Sequence, residues 1–131
     1  MAAIKQIHRA GLAKRLAGCA VQPQPGRDVF QTYCVGCHGR GGAGDGAYGG
    51  DLPVPPANLT MLSAGNGGVF PRERVITKIH GYPDSFHASI MPEFGSLLAG
   101  ETVMVMTDQG KVATPKALAE LVAYLESIQA G

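Results

Sequence analysis

The sequence of 131 residues has no tryptophan and few aromatic residues, four tyrosines and four phenylalanines. A chain of one-domain length buries a limited fraction of its surface, and here few large side chains are available to fill a core. Glycine and proline are abundant, with 19 and 9 residues, which predicts much loop and little regular structure. This composition favours a small protein packed around a cofactor over one with a conventional apolar core.

The sequence also lacks long apolar runs, and residues 19–131 carry no excess of basic residues. No apolar run approaches the length of a membrane-spanning helix. The first 18 residues hold four basic residues and no acid. Residues 19–131 hold the other seven Lys and Arg and all ten Asp and Glu, a formal net charge of −3. A mildly acidic body argues against nucleic acid as a partner.

Cysteine is scarce too, and its placement is informative. A C-x-x-C pair, Cys34 and Cys37, is typical of a redox dithiol or of half a zinc site. A zinc site needs a second ligand pair, which the one remaining cysteine, Cys19, does not provide. A thioredoxin-like dithiol needs a βαβ context, which the glycine-rich stretch after His38 does not offer. With His38 the run spells C-x-x-C-H, the attachment motif of a c-type haem.

Each residue of the motif has a chemical role in that interpretation. The two thiols add across the two vinyl groups of the porphyrin, so the haem becomes covalently attached. The imidazole of His38 then reaches the iron from the same side, and neutral imidazole is a good iron ligand. The sequence therefore predicts one haem c held by Cys34 and Cys37, with His38 as an axial ligand.

The second face of the iron needs a ligand as well. The downstream candidates are Met61, His80, His87, Met91, Met104 and Met106. Met91 is favoured because it lies in a predicted loop and the following Pro92 stiffens the chain there. His87, in the same loop, is the serious rival.

The other candidates have ordinary structural interpretations. His80 is expected at the surface end of a helix, and Met61 is expected in the core. Met104 and Met106 alternate with valines, as in a packed strand. A His38/Met91 pair would raise the reduction potential and leave no open position for oxygen or peroxide, so such an iron would only transfer electrons.

Apolar spacing and Pro/Gly punctuation predict three helices, at about 27–35, 71–80 and 115–129. Gly81 is expected to end the second helix, and Thr114 is expected to cap the third. Residues 102–113 suggest a small hairpin. The glycine-rich loop 39–46 lacks the Lys-Ser/Thr ending of a phosphate loop, and we expect it to pass close to the haem edge.

The N-terminal segment allows two interpretations. Residues 16–20, Leu-Ala-Gly-Cys-Ala, resemble a bacterial lipoprotein cleavage box preceded by basic residues, but an apolar stretch before the box is missing. Residues 1–18 are therefore either a signal or lipoprotein leader, or a disordered basic tail. In the first case a lipid on Cys19 would tether the protein to a membrane. Residues 19–25 are interpreted as a linker, and residues 26–131 as the folded domain.

With these motifs in place, the chain resembles the bacterial type of class I, mono-haem cytochromes c over about residues 26–129. The C-x-x-C-H run and Met91 match the haem motif and the distal ligand. Gly26 and Phe30, eight and four residues before Cys34, match the N-terminal helix, and residues 121–125 resemble the C-terminal helix motif.

The resemblance implies an all-α cytochrome c fold, with three to four helices wrapped around one covalent haem and joined by long loops. It implies that Gly26 and Phe30 meet Leu121 and Tyr124 where the first and last helices cross. It also implies that a proline carbonyl accepts the ring N–H of His38, and both Pro55 and Pro56 are open for that role. The segment 98–114 resembles an insertion that either shields the haem or forms a partner surface.

By the same resemblance, the expected function is electron transfer between redox partner proteins, without enzymatic activity. The expected location is the periplasm or the outer face of a bacterial membrane, because bacteria attach haem c outside the cytoplasm. Two alternatives stay open: a haem subunit of a larger periplasmic or membrane oxidoreductase, and a haem enzyme or sensor whose distal ligand leaves. A ring of docking lysines is missing, and the sequence does not indicate an oligomeric state.

Overall fold

A computed structural model of the chain describes residues 18, 22–82 and 89–131, so Cys19 and His87 lie outside the described part. The α-helices within these ranges are α1 (Pro25–Tyr33), α2 (Val35–His38), α3 (Arg72–His80) and α4 (Lys116–Ser127). The strands are β1 (Thr102–Thr107) and β2 (Gly110–Pro115). Single turns of 3-10 helix occur at Gly49–Asp51, Leu59–Met61 and Ala64–Asn66. The helical architecture with long loops and a small hairpin agrees with the predicted fold class.

The crossing of α1 and α4 is the centre of the fold. A Cβ added to Gly26 would overlap the carbonyl of Glu120, so only glycine allows the two backbones this close approach. Phe30 is fully buried, and its ring lies 5.4 Å from the ring of Tyr124, tilted by 50°. The predicted contact between the first and last helices is confirmed.

Helix α3 completes the core. Its buried residues are Val75, Ile76 and Ile79, and those of α4 are Leu118, Leu121, Val122 and Leu125. Phe30, Phe70 and Leu98 join the same cluster. The helical spacing of these residues puts each set on one face, and burial of each large apolar side chain stabilises the fold by about 1.5–3 kcal/mol.

The hairpin forms where the sequence predicts it, with Val105 opposite Val112. The two-residue turn ends at Gly110, whose φ of 106° suits glycine. The methionines of β1 do not pack inward, since Met104 and Met106 are 61% and 55% exposed. Side chains alternate between the two faces of a strand, and here the valines of β1 take the inner face.

Side chains of α3 fasten this hairpin to the helices. Arg72 makes a bidentate ion pair with Glu126 of α4, with N–O distances of 2.8 and 2.9 Å, and its third nitrogen donates to the Met106 carbonyl at 3.3 Å. The Thr107 hydroxyl lies 3.2 Å from the carboxylate of Glu73. Side-chain hydrogen bonds therefore hold the tip of the hairpin.

The start of α4 differs from the prediction. Thr114 belongs to β2, is fully buried, and donates its hydroxyl to the Val112 carbonyl at 3.1 Å, so the predicted cap is wrong. The strand instead runs through Pro115 straight into the helix. The amide of Lys116 donates to the Glu101 carbonyl at 2.7 Å, which satisfies one free donor of the first turn and closes the base of the hairpin.

Helix α3 ends as predicted, with Gly81 in the left-handed region at φ 75° and its amide bonded to the Thr77 carbonyl. Helix α1 starts two residues earlier than predicted and is separated from α2 at Cys34. None of the helices within the described ranges combines the length and apolar character needed to cross a lipid bilayer.

Candidate haem site

The junction of α1 and α2 presents the C-x-x-C-H residues at the edge of the core. The amide of Cys34 donates to the carbonyl of Phe30 at 2.9 Å, so the cysteine follows directly on the buried phenylalanine of the helix crossing. Cys34 and Cys37 are half-buried and carry free thiols. Burial, and secondarily the charge of Cys37, raise the pKa of the Cys34 thiol from 9.0 to about 11. At neutral pH this cysteine is therefore held as the thiol.

The ring of His38 is oriented by the main chain. Its Nδ1 lies 3.0 Å from the carbonyl oxygen of Ala57. With Nδ1–H donated to that carbonyl, Nε2 is the nitrogen left for a metal, an arrangement common among metal-ligating histidines. The half-buried ring thus fits the predicted role of axial ligand.

The acceptor is not the one that the resemblance implies. We expected the carbonyl of Pro55 or Pro56, and the structure shows that of the next residue, Ala57. The ring of Pro56 lies against Gly49 instead, with Cγ 3.1 Å from the position that a Cβ there would take. Pro56 therefore packs the segment that carries the acceptor and does not itself supply it.

The glycine-rich loop folds back on the attachment helix. Helix α2 is only one turn long, so its last carbonyls lack partners within the helix. Three loop amides donate to them in register: Gly44 to His38 at 2.8 Å, Gly46 to Cys37 at 3.1 Å and Tyr48 to Gly36 at 2.9 Å. A Cβ on Gly46 would lie only 2.5 Å from the Cys37 carbonyl carbon. The loop can pass this close to the attachment helix because side chains are absent where the two meet.

Tyr48 also belongs to the attachment side, although no pattern in the sequence selects it. Its ring lies over Gly36, between the two cysteines, where an added Cβ would come within 2.8 Å of Cδ2. The side chain is nevertheless 68% exposed. An aromatic surface therefore covers the outer side of the attachment turn.

Met91 lies on the edge of the same core. It is half-buried, and it packs against the buried cluster, as Cys34 does. The other methionines of the described residues, Met61, Met104 and Met106, are all exposed. This difference favours Met91 over the other methionines as the second iron ligand. His87 lies outside the described residues and stays an untested alternative.

A cavity of about 480 Å³ adjoins Met91 on the outer side of α3. Its walls include Arg74, Lys78, Ser89 and Glu93. The described wall residues do not include Cys34, Cys37 or His38. The cavity is therefore a feature of the distal segment, separate from the attachment turn.

The distal segment 89–95 is joined to both α1 and α3. The ring of Phe94 lies 6.1 Å from that of Tyr33, the residue before Cys34. The amides of Phe94 and Gly95 donate to the carbonyls of Ile79 and His80 at 2.8 and 3.0 Å. The attachment turn and the segment that carries Met91 are thus connected through packed side chains.

His80, expected at the surface, is half-buried. Its ring stacks on Tyr82 with centroids 3.9 Å apart, and an added Cβ on Gly95 would lie 2.9–3.0 Å from ring atoms. Its Nδ1 is buried and has no hydrogen-bond partner among the described residues. The prediction is wrong because the distal segment folds over the end of α3.

The residues present fit a covalent haem. Two free thiols, an oriented imidazole and a half-buried thioether make up the donor set of a c-type centre. The core is rimmed by half-buried apolar side chains: Leu59, Leu62, Tyr82, Met91 and Phe94. Such a rim suits a large apolar group. In the described parts of the chain, no group of three or more His, Cys, Asp or Glu side chains could hold a separate metal ion.

Comparison with protein families finds a match over most of the chain. Residues 21–125 match the family model described as cytochrome C oxidase, cbb3-type, subunit III. This span contains every predicted haem residue from Cys34 to Met91 and most of α4. No curated protein and no solved structure matches the chain.

Proposed function

The chain belongs to the mono-haem cytochrome c family whose model is described as cytochrome C oxidase, cbb3-type, subunit III, and from this premise we propose that it transfers electrons through one haem c with His38 and Met91 as axial ligands. Membership implies covalently bound haem c, which supplies one-electron redox chemistry. The ligand pair and the protein's place in the cell belong to the proposal.

The observation that carries the proposal is the hydrogen bond between His38 Nδ1 and the Ala57 carbonyl. It fixes the ring with Nε2 available, and donation from Nδ1–H increases the basicity of the imidazole. Cys34 and Cys37 hold the group at the same turn. The glycine-rich loop keeps this turn closed through its three amide hydrogen bonds, so the residues that bind the group do not need to rearrange when an electron arrives.

Met91 is proposed as the second ligand because it combines half-burial with attachment to the rest of the site. Phe94, three residues later, packs against Tyr33 beside the first cysteine. A thioether is a soft donor that favours the reduced state. Filling both axial positions would exclude oxygen and peroxide, as an electron carrier requires.

The test is visible spectroscopy of the ferric protein. We expect the far-red band of a methionine–iron bond, its loss in Met91→Ala, and its retention in the matched control Met104→Ala, because Met104 is exposed on the hairpin. Ferrous Met91→Ala should bind carbon monoxide rapidly.

Two results would contradict the ligand assignment. A wild-type protein that lacks the band and binds carbon monoxide rapidly would favour the haem enzyme or sensor. A Met91→Ala spectrum identical to wild type would show that another residue, such as His87, is the ligand.

A second candidate function is that of a haem subunit docked permanently to a larger oxidoreductase. The family's description as an oxidase subunit favours it, and so does the exposed apolar face formed by Met104 and Met106. Native electrophoresis of detergent-solubilised membranes with haem staining separates the two. A carrier would migrate at its own size, and a subunit would migrate with a large complex.

We also propose export to the periplasm or to the outer face of the membrane, since bacteria attach haem c there. A lipid on Cys19 would anchor the protein at that membrane. Mass spectrometry of the mature N-terminus tests this. A chain that begins at a diacylated Cys19 would support the anchor, and an unmodified mature chain would refute it.

A further inference from the structure

The segment 89–95 is fastened to α3 unevenly on the two sides of Met91. On the downstream side, Phe94 and Gly95 donate main-chain hydrogen bonds to Ile79 and His80, and the Phe94 ring packs on Tyr33. The two hydrogen bonds use carbonyls that the end of any α-helix leaves free. Point substitution of a side chain cannot remove these hydrogen bonds without changing the backbone.

On the upstream side, the described residues show one hydrogen bond to α3. The Lys78 ammonium donates to the hydroxyl of Ser89 at 2.7 Å. Both residues line the cavity beside Met91, and both are exposed. Lys78 belongs to the last turns of α3, whose Ile76 and Ile79 are buried in the core, so the helix position of this lysine is fixed. This bond therefore connects a rigid element to the chain just before Met91.

We propose that Lys78 is a positioning residue for Met91. By holding Ser89, it sets how readily the thioether leaves the iron. The inference rests on the proposed His38/Met91 ligation.

The short chain distances from Ser89 and Phe94 to Met91 limit how far the methionine can move. Ser89 is two residues before Met91 and Phe94 is three after it, and each residue spans at most about 3.6 Å. With both ends fixed, the methionine has little room to withdraw. Without the lysine, the hydrogen bonds from the described residues to α3 hold the segment on its downstream side alone, so Met91 can swing away about Phe94 while the downstream contacts persist.

The experiment measures imidazole binding to the full-length ferric holoprotein by stopped flow, at saturating imidazole, where release of the methionine limits the rate. Lys78→Ala should bind about threefold to tenfold faster than wild type, the loss expected for one hydrogen bond. The matched control is Arg74→Ala, one turn earlier on the same wall of the cavity, and its rate should equal that of wild type. Lys78→Arg keeps a donor and should restore most of the wild-type rate.

A second substitution on the other partner separates positioning from general loosening. Ser89→Ala should reproduce the effect of Lys78→Ala, and the double variant should be no faster than either single variant. Ser89→Thr keeps the hydroxyl and should behave as wild type. The thermal unfolding midpoint of these variants should fall by only a few degrees, because a threefold to tenfold effect is small against the stability of a whole domain.

The outcomes distinguish this inference from the function on which it rests. A wild-type far-red band with equal binding rates in Lys78→Ala and wild type would overturn the positioning role alone. Additive effects of the two substitutions would also overturn it. A wild-type protein without the band would overturn the Met91 ligation, and the positioning role with it.

Discussion

The two sides of the proposed haem site are built in different ways. The attachment side, residues 34–48, is held by main-chain hydrogen bonds: three loop amides bond to the carbonyls of α2, and the Ala57 carbonyl orients His38. The distal side, residues 89–95 and the neighbouring hairpin, depends on side chains for several attachments, among them Lys78 to Ser89 and Arg72 to the Met106 carbonyl.

This difference has a consequence for how each side responds to mutation. Main-chain bonds depend on glycine where the backbones touch, so the attachment side should tolerate few substitutions. Side-chain bonds between exposed groups contribute less each, so the distal side should change gradually. The chain thus combines a fixed anchoring side with a side whose properties can be tuned.

The largest expected effect is at Gly46. A Cβ there would press on the backbone carbonyls of Gly36 and Cys37, which cannot move without opening the attachment turn. We expect Gly46→Ala to lower the free energy of unfolding of the holoprotein by about 3 kcal/mol, at the upper end of overpacking costs. Guanidinium unfolding followed by circular dichroism measures this.

The matched control is Gly41→Ala in the same loop. An added Cβ at Gly41 meets no atom within 4 Å, and its φ is not in the left-handed region, so the change should stay within about 0.5 kcal/mol. Equal destabilisation by the two substitutions would show that any added side chain in the loop is costly. The close backbone contact at Gly46 would then not explain why the attachment side differs from the distal side.

A smaller effect is expected at Arg72. Arg72→Met removes the bidentate pair with Glu126 and the bond to the Met106 carbonyl while keeping the aliphatic stem. Because both side chains are slightly more than a third exposed, solvent screens the pair, and we expect a loss of about 1–2 kcal/mol.

A double-mutant cycle with Glu126→Gln should give a coupling energy of about 1 kcal/mol that decreases in 1 M NaCl. Arg74→Met, on an exposed position of the same helix, should change stability by less than about 0.5 kcal/mol. A coupling near zero would mean that the ion pair between α3 and α4 contributes nothing measurable to stability.

The smallest effect is expected at Pro56, which packs on Gly49 next to the residue that accepts from His38. Pro56→Ala should loosen the Ala57 carbonyl and weaken the hydrogen bond. A less basic imidazole stabilises the oxidised state less, so the reduction potential should rise by about 20–40 mV, equivalent to about 0.5–1 kcal/mol for one electron. Redox titration measures the shift.

Pro55 provides the control for this prediction because it is exposed and one residue further from the acceptor. Pro55→Ala should leave the potential within a few millivolts of wild type. If the two variants shift the potential equally, the segment acts through its overall stiffness, and the packing of Pro56 on Gly49 has no special part.

The features predicted correctly from the sequence are those that side-chain identity encodes. Covalent haem c is predictable because its attachment chemistry requires two thiols and an imidazole at fixed spacing. The α1–α4 crossing follows from the resemblance to cytochromes c, which Gly26 and Phe30, four positions apart in the first helix, support. The hairpin was suggested by its alternating residues.

The features that were missed depend on the main chain or on folding at a distance. The acceptor of His38 is a backbone carbonyl, and any residue could have supplied it. The bond between Lys78 and Ser89 joins two residues eleven positions apart that show no shared pattern. Thr114 followed by a proline suits a helix cap as well as a strand end, and only the pairing with Val103 decides between them.

The hydrogen bond between the Lys116 amide and the Glu101 carbonyl has a further consequence, for the architecture of relatives. Because the chain enters and leaves the hairpin at neighbouring points, residues 102–115 form a module whose two ends meet. Such a module can be lengthened, exchanged or removed during evolution while α3 and α4 keep their places. In protein engineering, this base is therefore the natural position for grafting a new recognition element next to the redox site.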